Sequence, residues 1–227
     1  MSDEISGYER YLHVPELLSL QKEADRLTCH DEMLFQIVHQ VEELWMKLIQ
    51  HEVTHAIRQM AADEVTAAAG TLRRINIAET LMTRQLELME TLTPRAYFTI
   101  RKGLGHASGQ ESPGFNAFLG VADSVWDAFT SLLGRQGATL FEIHMEPSSR
   151  PELFLLSEVL LDFDDRFQKF RFEHLKLVQR IIGGGTDSLK GVPAEVLKRS
   201  LEHRFFPELW DVREEIFASF TPGDLEI

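Results

Sequence analysis

An all-α helical bundle is the fold class this sequence predicts. Apolar residues recur at three- and four-residue spacing over long stretches, as one face of a helix requires. Proline or Thr-Pro opens several of these stretches and glycine runs close others. No Asn-Gly or Asp-Gly hairpin signal and no well-bounded alternating run competes with them. The 227 residues suit a single domain spanning 1–227, long enough to bury roughly 70% of the unfolded surface.

Residues 1–12 form a short arm carrying Tyr8, Tyr11 and Leu12, too short to fold by itself. Pro15 opens a helix with Leu17, Leu18 and Leu20. A long helix is expected from Asp31 to about Met60, with Leu34, Val38, Val41, Trp45 and Leu48 as its apolar seam. Phe35 and His39 lie one turn apart at the edge of that seam. A third helix covers roughly Glu64 to Glu90. Thr93 then caps, and Pro94 opens, the helix RAYFTIRKGL, in which Tyr97 and Arg101 are one turn apart. Gly103 to Gly114 reads as a loop, followed by a helix to about Leu133 and a connecting stretch to Ser149. Within that stretch GATLFEIHM is ambiguous between helix and strand.

The helix starting near Pro151 carries the most informative pattern. Phe163, Phe167, Phe170, His174, Leu177 and Ile181 follow at four, three, four, three and four residues, one stripe of a long helix. Asp164, Asp165, Arg166, Lys169, Arg171 and Lys176 take the other faces, and Gly183–Gly185 stop the helix. A second glycine loop, GGGTDSLKG, leads to a helix from about Pro193 and a last one through Pro207–Phe220.

Composition excludes several functions. A net charge of −13 with no basic cluster argues against a nucleic-acid or anionic-membrane surface. The single cysteine, Cys29, rules out a disulfide framework and a CxxCH haem attachment. The polar, acidic opening MSDEISGYER is unlike a signal peptide, and no stretch approaches a membrane span. A cytoplasmic location is the expectation.

His174 sits mid-helix in an aromatic seam, where a neutral imidazole needs a partner for each ring nitrogen. A core histidine bonded to a neighbouring helix is the simpler reading of this stretch alone. A metal on one nitrogen with an acceptor on the other is the sharper one. Glu52 and His55 form a Glu-x-x-His unit, but no second such unit stands on another long helix, so a di-iron site lacks half its ligands. His51 and His55 could hold a surface zinc, though an exposed polar face explains them more simply. An iron held by His174 alone would need a porphyrin for its equatorial positions, leaving the opposite axial position open for oxygen. His39 with Phe35, and Tyr97 with Arg101, are candidates for that open side. Arg101 brings a planar fork suited to a carboxylate.

LFQIVHQVEELWMKLIQHE, preceded by YERYLHVPELLSLQ, resembles the amino-terminal half of tryptophan 2,3-dioxygenases; FRFEHLKLVQRIIG followed by RFFPELWDVRE resembles the carboxy-terminal half. The similarity runs with gaps from about Tyr8 to Glu215. It implies a helical bundle enclosing a non-covalent b-type haem, with glycine-rich active-site loops. By the resemblance, His174 matches the proximal ligand of the haem iron and His39 the distal histidine facing the indole nitrogen. Phe35 matches the residue packing on the indole ring. Arg101 matches the partner of the substrate carboxylate, Tyr97 its neighbour, and Thr186 a threonine near the substrate ammonium. Tyr8, Tyr11 and Leu12 match residues that reach into an adjacent subunit's pocket in a homo-oligomer, a tetramer or dimer with arm exchange.

The implied reaction inserts O2 into the indole C2–C3 bond of L-tryptophan, or of a substituted tryptophan, giving an N-formylkynurenine-type product. Monooxygenation to an oxindole and a non-catalytic haem sensor or carrier are the alternatives. The chain departs from the family in three places. Its loop Gly185–Gly191 reads GTDSLKG rather than close to GTGGSSG. Ser108–Ser112 reads SGQES rather than SGFQS. The span from Tyr97 to His174 is shorter. Relatives that attach haem covalently carry a cysteine near the ligand, where Val178 stands here.

Overall fold

The computed structural model describes residues 5–105, 109–183, 201 and 203–220. Among them every regular element is helical: α1 (Gly7–Leu12), α2 (Val14–Leu18), α3 (Glu32–Ala61), α4 (Val65–Met89), α5 (Pro94–Leu104), α6 (Pro113–Leu119), α7 (Ala122–Gln136), α8 (Leu140–Met145), α9 (Pro151–Ile182) and α10 (Pro207–Ser219). Short 3-10 turns lie at Ala24–Arg26 and Gly109–Glu111. Thr186 and the helix expected from Pro193 lie outside the described residues.

The frame is α3, α4 and α9. α4 packs along both of its long neighbours, while α3 and α9 scarcely touch each other. α6 and α7 cover another flank of α3. The turn from α3 to α4 places Asp63 at φ 59°, a left-handed position that needs outside support. Arg135 of α7 supplies it, donating to Asp63 Oδ1 from Nε (3.1 Å) and Nη2 (2.9 Å), and to the Met60 carbonyl at 2.6 Å.

Three expectations need correction. The connecting stretch before Ser149 contains α8, so LFEIHM is helix: Thr139 and Glu142 form a reciprocal capping box, Thr139 Oγ1 accepting from Glu142 N and Glu142 Oε2 from Thr139 N. The helix expected to run to Leu133 is two helices, broken at Gly120. On α9, Asp164 (0% exposed) and Arg171 (8%) are buried rather than on a solvated face. Asp164 accepts from Phe205 N (3.0 Å), Phe206 N (3.3 Å), Trp210 Nε1 (2.9 Å) and Gln168 Nε2 (3.0 Å). That carboxylate fastens the segment before α10, and α10 itself, to α9. Arg171 lies over the Phe167 ring at 4.6 Å and donates to the His203 carbonyl. A buried charge is tolerable when hydrogen bonds replace its water, as four donors do for Asp164.

Candidate functional site

The stripe expected on α9 is formed as read: Phe163, Phe167, Phe170, Leu177 and Ile181 are buried, and His174 lies half-buried among them. Phe170 lies nearly parallel to the His174 ring (centroids 6.2 Å, planes 11° apart). Phe115 of α6 reaches Phe167 at 5.8 Å and Phe170 at 6.4 Å, and Phe118 meets Phe167 edge-on at 4.7 Å. Burial first, and then the His39 imidazole, push His174 down to about 4. His39 therefore lies within electrostatic reach of His174, although one stands on α3 and the other on α9.

α3 differs from its expected seam. Its buried residues include Val38, Met46, Ile49, Val53, Ala56 and Met60, so the inner face is turned away from Val41 and Leu48. Phe35 is half-buried and His39 is exposed at the edge of that face, as their spacing predicts. The reason for the turned face is tertiary: with α4 on one flank and α6 and α7 on another, α3 is covered over a broad arc. His39 Nδ1–H donates to the Phe35 carbonyl (2.7 Å), and the two rings lie 4.1 Å apart. Desolvation lowers the His39 pKa, against the opposing pull of that hydrogen bond and of Glu43. At neutral pH the ring is therefore uncharged. With Nδ1 holding the proton, Nε2 presents a lone pair.

α5 brings the next pair. Thr93 Oγ1 accepts from Ala96 N at 3.1 Å, Pro94 stands in the first turn, and Ile100 (1% exposed) anchors the helix. Tyr97 is half-buried with its ring 6.5 Å from Phe35. Arg101, one turn on, is half-buried in the last turn of α5. Phe35, His39, Tyr97 and His174 thus form a chain of neighbours across α3, α5 and α9, with Arg101 on the Tyr97 helix. The arm is apart from them: Tyr8 is 72% exposed, Tyr11 84% and Leu12 45%, and α1 buries no residue of its own.

Two groups escaped the sequence reading. Glu42 follows Phe35 and His39 on the same stripe, seven and three residues on. Glu43 accepts from Ser112 Oγ and from Gly114 N (3.0 Å), tying the end of the Gly103–Gly114 segment to α3. Gly114 has no room for a side chain, since a Cβ would meet Glu43 Oε2 at 2.5 Å and Met46 Cβ at 3.1 Å. The stripe spacing could have flagged Glu42; the contact of Glu43 is long-range and left no local signal.

Glu52 is a structural residue: 6% exposed, its two oxygens accept from Arg74 Nη1 at 2.8 and 2.7 Å. His51 and His55 are exposed. Among the described residues no group of three or more His, Cys, Asp or Glu side chains could hold a metal ion. His174 is different in kind. It is neutral, and among the described residues neither ring nitrogen has a hydrogen-bond partner. One unengaged imidazole, stacked on Phe170 and within electrostatic reach of His39, suits a haem, which brings its own equatorial nitrogens.

No helix among the described residues is long and apolar enough to cross a membrane. Residues 2–125 match the family model described as tryptophan 2,3-dioxygenase. The chain is 34% identical to the tryptophan 2,3-dioxygenase of Caulobacter vibrioides over 262 residues, covering 92% of this chain and 98% of that protein. It is also 34% identical to that of Bacillus thuringiensis strain Al Hakam, with 92% of each covered. To that of Myxococcus xanthus it is 33% identical, over 92% of this chain and 89% of the relative. The 262 aligned positions exceed the 227 residues of this chain, so the Caulobacter relative carries segments that this one lacks. With more than half of its length matched by the family model and nearly all of it matched by these relatives, the chain belongs to the tryptophan 2,3-dioxygenase family.

Proposed function

We propose that this protein is a haem-dependent dioxygenase that inserts O2 into the indole C2–C3 bond of L-tryptophan or a substituted tryptophan, giving an N-formylkynurenine-type product. The observation that carries the reading is the pair His39 and His174, which lie within electrostatic reach of each other. Each is neutral at neutral pH, they stand on separate helices, and only His39 has its ring already tied to the protein. His174 would hold the haem iron. When bound, the haem supplies the iron centre through which O2 reacts with the indole.

The remaining work falls to this chain. His39 Nε2 can accept the indole N–H, because Nδ1–H is committed to the Phe35 carbonyl. That hydrogen bond orients the indole without requiring His39 to remove its proton. The Phe35 ring, fixed against His39 and near Tyr97, offers an aromatic wall for the indole face. Arg101 would take the substrate carboxylate in a forked, charge-assisted pair. Thr186 is assigned to the substrate ammonium on the resemblance alone. Phe170, backed by Phe115 and Phe167, supplies an apolar wall beside His174.

Tyr8, Tyr11 and Leu12 are too exposed to serve their own pocket, and we assign them to the pocket of a second copy in a homo-oligomer. Sedimentation of the full chain and of a chain lacking residues 1–12 tests this; unchanged mass and unchanged kinetics in the short form would overturn it. For the reaction, reduced haem-loaded protein given L-tryptophan under labelled O2 should consume oxygen and yield product carrying two labelled atoms. Product with one labelled atom, or no uptake with any tryptophan, would overturn the dioxygenase reading.

A further inference from the structure

The inner stripe of α3 carries a carboxyl for which the reaction above has no use. Phe35, His39, Glu42 and Met46 follow at four, three and four residues and share one face. Met46 is 3% exposed and Glu42 is half-buried, with its Oε1 closed off from solvent. Among the described residues Oε1 has no hydrogen-bond partner. Its neighbour Glu43 is the opposite case, engaged by Ser112 and Gly114. Burial, and second the charge of Glu43, push the Glu42 carboxyl up to about 7. An apolar side chain would avoid the cost of an unpaired buried oxygen, so a polar one there calls for a partner from outside the chain.

Position along the helix says where that partner would lie. Phe35 stands beside Tyr97, on the helix that also carries Arg101, so the amino-acid end of the substrate belongs at the Phe35 end. His39 follows about 6 Å along the axis and Glu42 about 4.5 Å beyond that, at a rise of about 1.5 Å per residue. With the indole N–H at His39, the far edge of the benzo ring falls toward Glu42. Glu43 adds negative potential, and among the described residues no cation acts on Glu42, so the field there favours a group that presents hydrogen.

We infer that Glu42 is a specificity-determining residue of this pocket, its carboxyl receiving a hydrogen-bond donor, a hydroxyl or amino group, carried on the benzo ring of a substituted tryptophan. The inference rests on the dioxygenase reading and narrows its substrate class.

The test uses haem-loaded protein under anaerobic conditions. Binding of L-tryptophan and of ring-hydroxylated and ring-methylated tryptophans, substituted at each benzo position, is titrated against wild type and Glu42→Met. At one ring position the wild type should bind the hydroxyl compound at least about tenfold more tightly than the methyl compound, since a site built around a donor rejects the analogue lacking it. Glu42→Met should abolish or reverse that ratio while L-tryptophan still binds. A second readout needs no variant: the infrared carboxyl band of the wild type should shift with the preferred hydroxyl compound and stay in place with its methyl counterpart. Tryptophan binding with equal hydroxyl and methyl affinities at every position, or a carboxyl band that no hydroxyl compound moves, overturns the Glu42 assignment alone. Failure of every tryptophan to bind overturns the dioxygenase reading and this inference with it.

Discussion

His144 and His174 are both pushed down to about 4, chiefly by burial, yet their rings are engaged in different ways. His144 Nε2 lies 3.1 Å from the Ser157 hydroxyl and Nδ1 lies 3.7 Å from Glu158, with the ring edge-on to Phe154 at 5.3 Å. Ser157 already donates to the Phe154 carbonyl at 2.7 Å, so its oxygen accepts from Nε2–H. Ser157, His144 and Glu158 have the residue types of a hydrolase triad, but the serine is wholly buried and its proton committed, which leaves no nucleophile. His174 is likewise pushed down by burial, and among the described residues neither of its ring nitrogens has a hydrogen-bond partner. The same pKa therefore accompanies a ring held by Ser157 in one place and an unengaged ring, the one we propose as haem ligand, in the other, and the hydrogen bonds tell them apart.

Exchanging each histidine for alanine sharpens that contrast. His174→Ala should lose tightly held haem while keeping its helical circular dichroism; a normal Soret band with full haem content would overturn the ligand assignment. His144→Ala should do the reverse, holding haem but losing about 1–3 kcal/mol of stability in denaturant titration, as expected for a broken buried hydrogen bond.

The pH dependence separates His144 from Glu42 by sign. His144 has its folded pKa lowered from 6.5 to about 4, so the unfolded chain takes the proton first and stability falls as pH drops from 6.5 toward 4. The loss is roughly 3 kcal/mol at most. Glu42 has its folded pKa raised from 4.5 to about 7, so its contribution is present below 4.5 and lost as pH rises through 7. Glu42→Gln should accordingly gain stability over wild type at pH 8 and little at pH 4, again by roughly 3 kcal/mol at most. Denaturant midpoints across that range check both, and equal slopes in wild type and variant would show that the group is not shifted.

Arg101→Leu gives the smallest change in the protein itself. Haem content and fold should persist, while substrate affinity drops about one to two decades, the equivalent of roughly 1.5–3 kcal/mol for a lost charge-assisted pair. Wild-type affinity in that variant would remove Arg101 from the carboxylate site.

Much of the helical frame was legible because its signals are local. Thr93 and Pro94 start α5 through contacts within one turn, and the Phe163–Ile181 stripe needs only the period of the helix. The capping box of Thr139 and Glu142 was equally local, and α8 could have been read from it. The sequence by itself determined the all-α class, the long helices and the seam holding His174, because caps and turn-to-turn spacing act over three or four residues. Only the tertiary structure decided which way α3 faces, that Asp164 and Arg171 go inside, and that Glu42 Oε1 is closed off from solvent with no partner among the described residues. Burial of a charge depends on donors far along the chain, such as Phe205 N and Trp210 Nε1 for Asp164. The rotation of α3 depends likewise on which helices cover it, and no spacing within a single helix encodes either.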